Sequence, residues 1–366
     1  MKAITLAGGF ATRLRPLTLT KPKPLLTVLG KPLLEWIIKM LNQANIKDII
    51  FSVKYLSQSI KNKFGSGIDY GVNIVYVEED KPLGDAGPLS LIAEKVGLED
   101  TFIVVYGDIF CDINLTEVIN FHKKKGALAT MVLTRVDDPS RYGVAVLDED
   151  SKIIRFIEKP KREEAPSNLA NAGIYVFEPE VLKYIPAKRP AKLARDVIPK
   201  LVEDRIIYGY VYQGIWGDIG IPEDYLKINV EALKKYYPKG YIHPSTTIEE
   251  NVKVIHPVFI DRDVYISSGS VIGPYSIIEN SVKIGRFSRI RESLIQMGTT
   301  IEYGAFIIQS IVGEKCHIGR WARIDENVVI GDEVIVMDEV YIARRVRILP
   351  FKEIESSIHE EGRVIL

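Results

Sequence analysis

YIHPSTTIEENVKVIHPVFIDRDVYISSGSVIGPYSIIENSVKIGRFSRI, residues Tyr241 to Ile290, repeats its pattern every six positions. Ile242, Ile248, Val254, Ile260, Ile266, Ile272, Ile278, Ile284 and Ile290 stand six apart without a break. The register slips by one residue, resumes at Ile301 and Ile307, slips again, and runs through Ile318, Ile324, Ile330, Val336, Ile342 and Ile348. Four residues after most anchors stands a small or aliphatic residue, such as Val258, Val264, Ser270, Ser276, Val282 or Ser288. A hexad repeat of this kind is the signature of a parallel β-helix. Three hexads close one triangular coil, the isoleucine points inward from each flat face, and the small residue fits at the corner. The span predicts about six coils of roughly eighteen residues each. An ordinary isoleucine-rich sandwich would not keep so many anchors in near-constant register. The pattern ends near Phe351, and the charged tail EIESSIHEEGR reads as a short cap over the open end of the coil.

Upstream of Tyr237-Pro-Lys-Gly240, which reads as a linker, the rhythm is different. Strands are expected at Lys2–Ala7, Asp48–Val53, Asn73–Val77, Thr101–Tyr106, Ala129–Thr134, Val144–Leu147, Ile153–Ile157 and Gly173–Phe177. Helices are expected at Leu33–Asn45, Pro88–Val96, Leu115–Lys125 and Pro222–Lys235. Strands alternating with helices imply an α/β fold with a Rossmann-like, mixed or mostly parallel sheet. The expected division is residues 1–236 for this domain and 241–366 for the β-helix. With 366 residues, one compact core is not expected.

Composition excludes several classes. Lys plus Arg and Asp plus Glu both number 48, so the formal net charge is zero and no basic nucleic-acid footprint exists. No apolar run reaches the length of a membrane span, and MKAITLAGG is too short and too soon broken by glycine for a signal peptide. The 2 cysteines, Cys111 and Cys316, lie far apart and suit a reducing cytoplasm better than a disulfide framework.

The opening stretch LAGGFATRLRPLTLTKPKPL, Leu6 to Leu25, carries the densest chemistry. A strand ends at Ala7, and Gly8 and Gly9 allow backbone N–H groups to approach an anion closely. Arg13, Arg15, Lys21 and Lys23 follow. A glycine turn followed by several cations suits a triphosphate, whose charge in the transition state needs neutralising. The glycines alone could equally form a tight βα turn beside solvated cations, and neither a Walker loop nor a GxGxxG fingerprint is present. Asp108 in VVYGDIF and Asp218 in GIWGDIG are each either a turn residue or a carboxylate for a hard cation such as Mg2+. Asp108 follows a strand, where ligands of α/β sheets gather. Glu158 and Lys159 in FIEKP could simply face solvent.

Taken together, Gly-Gly-x-Ala-Thr-Arg-Leu-x-Pro-Leu-Thr followed by Lys-Pro-Lys-Pro-Leu resembles the signature of the sugar-1-phosphate nucleotidyltransferases, and the C-terminal hexads resemble the left-handed β-helix of hexapeptide-repeat proteins. Within the family, SRYGVAVLDED, FIEKP, NAGIYVF and GIWGDIGIPEDYL look most like the mannose-1-phosphate guanylyltransferases. The resemblance implies transfer of a nucleotidyl group from a nucleoside triphosphate to a sugar 1-phosphate. It implies nucleotide contacts from Leu6, Ala7, Gly8, Gly9, Arg13, Lys23, Gly87 and Asp108. Sugar-phosphate contacts would come from Gly143, Glu158, Lys159 and Asn171, and Mg2+ ligands would be Asp108 and Asp218. Arg13, Lys23, Asp108 and Asp218 would carry catalysis. Ala11 stands where the family usually has Gly, and Asp85 where relatives often carry Thr. The expected partners are the two substrates and further copies of the chain assembled through the β-helix, with neither nucleic acid nor membrane. Three other readings remain: a glucose-1-phosphate thymidylyl-, uridylyl- or adenylyltransferase, a non-catalytic sensor of NDP-sugar, and an acyltransferase using His243, His256 or His317.

Overall fold

The computed structural model describes residues 1–9, 11–54, 57–186 and 189–366. Its contacts group into two compact units, Met1–Gly9 with Leu33–Gly217, and Phe10–Pro32 with Asp218–Leu366.

The first unit is built on a mixed nine-stranded sheet. Lys2–Leu6 lies at its centre, paired in parallel with Asp48–Val53 on one side and Phe102–Tyr106 on the other. Asn73–Glu78 extends the parallel half, and Leu169–Phe177 joins Phe102–Tyr106 antiparallel to open the other half. The apolar runs of the central strands are buried on both faces, as a sheet covered by helices requires. Leu33–Gln43 buries Leu33, Leu34, Ile37, Ile38, Met40 and Leu41, spaced for one face of a helix. Leu115–Lys125 starts at Asn114, whose Oδ1 accepts the Thr116 N–H at 3.1 Å, and stops at Gly126 in the left-handed region.

Two features depart from the expected strands. Leu169–Phe177 begins before Gly173, because the strand carries an irregularity between Asn171 and Tyr175, with Gly173 at φ +75°. Its periodicity is broken there, so only the downstream half reads as a strand. The strand Ile207–Tyr212, parallel to Ala129–Arg135, was not anticipated. Gly209 interrupts its pattern, and the glycine is needed because a Cβ there would lie 2.6 Å from Leu133 and Leu147 side-chain carbons.

In the second unit, residues 241–366 form three stacks of short parallel strands, of 8, 7 and 6 members. This is the triangular coil expected from the hexads, consistent with a left-handed β-helix. The column from Ile260 through Ile348 is fully buried and makes up the core of the coil. Asp263, Gly269, Tyr275, Ser281 and Phe287, six apart, turn the corners with φ between +54° and +76°. Each precedes a buried corner residue. Ser270 and Ser288 satisfy their hydroxyls there by donating to the Gly285 and Glu302 carbonyls of the next coil, at 2.9 and 2.8 Å. Both register slips are absorbed without a gap. Ile295 and Val312, which strict hexad counting passes over, take the inward position, and Ile278, Ile295 and Val312 are stacked partners. The tail is a last coil rather than a separate cap. Glu353–Ile354 pairs with Ile335–Val336, and Val364–Ile365 pairs with Arg347–Ile348.

The N-terminal part of this unit packs on the coil. Thr27–Val28 and Lys31–Pro32 form a small antiparallel hairpin. The helix Pro222–Tyr236 supports it: Tyr225 Oη donates to the Thr27 carbonyl at 2.8 Å, and Asn229 Oδ1 accepts the Leu29 N–H at 3.0 Å. Gly30, at φ +72°, seats against Asp261, where a Cβ would come within 2.7 Å of the carboxylate. The Thr27 hydroxyl donates to Glu279, and the Met297 N–H donates to the other carboxylate oxygen at 3.2 Å.

Glu279 is buried, and burial pushes its carboxyl up to about 7 despite these donors and the charge of Lys21. Its ordinary value is 4.5. Between those pH values the folded chain holds a proton that the unfolded chain has released, so stability falls as pH rises through the window. Glu279→Gln should therefore gain stability over the parent as pH rises from 4.5 to 8, by about 1–3 kcal/mol at the upper end. Denaturant titrations at several pH values would check this; an advantage that does not grow with pH would refute it.

Candidate active site

The first unit contributes the carboxyl ends of its central strands. Leu6 closes Lys2–Leu6; its carbonyl accepts the Gly107 N–H at 2.9 Å, while the Ala7 N–H donates to Ser52 at 2.8 Å. Leu6–Ala7 and Gly107 are thereby held side by side at the carboxyl end of the sheet's central strands, just before Gly8, Gly9 and Asp108. Gly107 is obligatory, since a Cβ would stand 2.9 Å from the Leu6 carbonyl oxygen. A Cβ on Gly8 would make ordinary contact with Glu79 and Lys54, and one on Gly9 would meet nothing within 4 Å. Gly9 therefore leaves an open backbone surface. Asp108 is half-buried directly after this junction.

Nearby in sequence, Leu83–Gly87 docks on residues 191–193. Gly84 bridges Ala191, whose carbonyl oxygen would lie 2.1 Å from a Cβ. Asp85 accepts from the Leu193 N–H at 2.6 Å and the Tyr106 hydroxyl at 2.8 Å. The residue in the position where relatives often carry Thr thus locks the loop in place, and Gly87 opens the helix Gly87–Val96. Sequence reasoning missed this lock; an acidic side chain between two glycines was its only signal.

Gly143 and Glu158 are opposite each other in an antiparallel pair. A Cβ on Gly143 would stand 2.3 Å from the Phe156 ring and 2.7 Å from the Glu158 carboxylate, so the glycine clears the floor on which both side chains lie. Desolvation raises the Glu158 carboxyl above its ordinary range, with Lys159 opposing and Asp85 adding to the rise. Lys159 sits at φ +48°, its N–H on the Tyr142 carbonyl at 3.0 Å. Asn171 spans the strand irregularity: Oδ1 accepts the Gly173 N–H at 3.0 Å, and Nδ2 donates to Tyr175 Oη at 2.5 Å.

The second unit carries the cations of the opening stretch. Ala11 adopts the left-handed conformation at φ +46°, and its carbonyl accepts from Leu14 N–H at 3.1 Å and Thr18 Oγ1 at 2.9 Å. The short turn Thr12–Leu14 leaves Arg13 exposed. Lys23 is 8% exposed, yet its Nζ reaches Asp218 Oδ1 at 3.2 Å. The pairing unites two residues 195 positions apart that the motifs singled out separately. Lys21 goes elsewhere. Its ammonium lies 2.5 Å from Glu314 and 3.3 Å from Asp332, so it does not join the cations available to a triphosphate. Among the described residues no group of three or more His, Cys, Asp or Glu side chains is gathered for a metal. Of the histidines considered for acyl transfer, His243 holds Ser245 at a turn of the coil, and His317 stacks between Thr300 and Ile335.

The model of the nucleotidyl transferase family matches residues 2–235, and that of the GMPPB C-terminal domain matches residues 254–365. A Sulfolobus acidocaldarius protein provisionally named mannose-1-phosphate guanyltransferase is 41% identical over 100% of both chains. The mannose-1-phosphate guanyltransferase of Debaryomyces hansenii is 37% identical, also over 100% of both. Among solved structures, a provisional glucose-1-phosphate thymidylyltransferase from Bacillus anthracis, in complex with sucrose, superposes with a TM-score of 0.58. It is 31% identical over 63% of this chain and 94% of its own. Strand-end loop, paired Lys23 and Asp218, and full-length likeness converge on one conclusion: this chain belongs to the nucleotidyl transferase family.

Proposed function

We propose that the chain is a mannose-1-phosphate guanylyltransferase, joining GTP and mannose 1-phosphate to GDP-mannose and pyrophosphate. The reading is carried by relatives of that name that align end to end. It is supported by the Lys23–Asp218 pair, which holds a nearly buried cation beside a carboxylate at 3.2 Å.

The reaction is an in-line displacement. A phosphate oxygen of the sugar 1-phosphate attacks the α-phosphorus of the triphosphate; the new O–P bond forms as the bond to the β-phosphate oxygen breaks, and pyrophosphate leaves. The nucleophile is already anionic, so no general base is required, and catalysis rests on positioning and charge stabilisation. Leu6, Ala7, Gly8, Gly9 and Gly87 contact the nucleotide through the backbone. Arg13 stabilises the leaving pyrophosphate and Lys23 the α-phosphate. Lys159 orients the incoming phosphate, while Gly143, Glu158 and Asn171 hold the sugar.

The family generally uses a divalent metal. Asp108 and Asp218 would be its ligands: each is a hard oxygen donor, and Mg2+ needs only one or two carboxylates beside phosphate and water. When bound, Mg2+ supplies neutralisation of phosphate charge.

No helix among the described residues is long and apolar enough to cross a membrane. Both cysteines are buried, and two so far apart in sequence suit a reducing cytoplasm better than a disulfide framework. The β-helix, with exposed aromatic residues such as Phe287 and Trp321, supports assembly with further copies of the chain.

Two experiments test this. Pyrophosphate release across a matrix of nucleoside triphosphates and sugar 1-phosphates should be fastest for GTP with mannose 1-phosphate; a faster dTTP–glucose 1-phosphate pair would move the assignment within the family. Arg13→Ala and Asp108→Ala should each lower kcat about a hundredfold or more, with near-parental rates counting against their roles.

A further inference from the structure

Residues Thr20–Gly30 lie along one edge of the β-helix and touch four of its coils. Gly30 seats on Asp261, Thr27 on Glu279, Lys21 on Glu314 and Asp332, and Thr20 on Asp332 at 2.5 Å. The acceptors are related by the coil repeat. Asp261 and Glu279 directly follow the inward residues Ile260 and Ile278; Glu314 and Asp332 stand one position further on, after Gly313 and Gly331. Asp332 uses both oxygens, Oδ1 on the Glu314 N–H at 2.8 Å and Oδ2 toward Thr20 and Lys21. Burial alone would lower the Lys21 ammonium, but Asp332 and Glu314 outweigh it and hold its pKa above the ordinary value.

We propose that Lys21, Glu314 and Asp332 form a positioning clamp by which the β-helix fixes the loop carrying Arg13 and Lys23. The proposal rests on the reading of Arg13 and Lys23 as phosphate ligands. Lys21 is then a positioning residue and not a phosphate ligand. Its leverage comes from its neighbours. Only Pro22 separates Lys21 from Lys23, and Pro24 follows, so the connection is stiff at both prolines. Two residues span at most about 7 Å, and a shift of the Lys21 anchor is passed on to Lys23 almost undiminished. Misplacing a reacting group by about 1 Å can cost on the order of a hundredfold in rate.

The test compares Glu314→Gln, Lys21→Met, their double variant and Lys21→Arg in the full-length chain, with thermal unfolding recorded for each. Glu314→Gln and Lys21→Met should each lower kcat by about 10–100-fold, with KM for the nucleotide changed less than about threefold, as expected when an interaction outside the ground-state complex is lost. The double variant should be no worse than the poorer single one, because both remove the same contact, and Lys21→Arg should restore most of kcat. Amide exchange supplies a second readout that needs no turnover: the Leu26 N–H, bonded to the Lys23 carbonyl at 3.0 Å, should exchange at least about tenfold faster in Glu314→Gln. Unchanged exchange in that variant overturns the clamp whatever the activity. A Lys21→Met variant with raised nucleotide KM beside an unimpaired Glu314→Gln overturns it too, making Lys21 a phosphate ligand. Failure of the catalytic reading looks different: Arg13→Ala would then keep its rate while the exchange result still held.

Discussion

A two-residue strand has no stability of its own. The coil of residues 241–366 is made almost wholly of such strands, and burial of an isoleucine column makes them possible. Inward side chains pack on those of neighbouring coils, and the strand backbones pair across the same step. The constraint is severe on the inward position and on the corner, where left-handed φ values recur every sixth residue. It is weak on the outward positions, which the fold leaves open to other chemistry. Outward positions in successive coils nevertheless line up, so acidic groups placed there form a row without any further structural device.

Asp261, Glu279, Glu314 and Asp332 are such a row, and Thr20–Gly30 exploits it. Formal charge balances to zero over the chain, yet carboxylates are concentrated locally where a single lysine and two threonine hydroxyls answer them. Charges this poorly hydrated are costly unless paired. The Lys21 side chain is 13% exposed and that of Asp332 7%, so the pairing specifies where the segment must lie more than it adds net stability. Two lysines separated by one proline thus have different partners: Lys21 answers the carboxylates of the coil, and Lys23 answers Asp218.

Periodic features were readable from the sequence because they are local and repeated. The isoleucine hexads announced the coil, the alternation of strands and helices announced the mixed sheet, and the strand-ending motifs located Asp108 and Glu158. Ile295 and Val312 were passed over because each follows a one-residue deletion, which breaks a fixed count but not the stacking. Ile207–Tyr212 was missed because Gly209 answers a demand made by Leu133 and Leu147, far away in sequence. Lys21 was grouped with the phosphate cations for the same reason: its partners lie about three hundred residues downstream, and a basic residue in a basic motif gives no sign of them. The clearance that Gly143 gives to Phe156 and Glu158 was equally invisible, because both lie on the adjacent strand.

Ala11 shows how far such distant contacts can replace a local rule. The family motif usually has Gly at this place, and the backbone there is left-handed at φ +46°. An L-residue pays roughly 1–2 kcal/mol for that conformation, where glycine pays almost nothing. The turn keeps its shape nonetheless, because the Ala11 carbonyl receives both the Leu14 N–H and the Thr18 hydroxyl. Downstream, Thr20 and Lys21 are fastened to Asp332 and Glu314. A free loop would relax out of such strain; a loop held at successive points cannot, since every escape breaks a partly buried polar contact. The shape of the opening stretch is therefore set as much by the carboxylate row of the coil as by its own glycines.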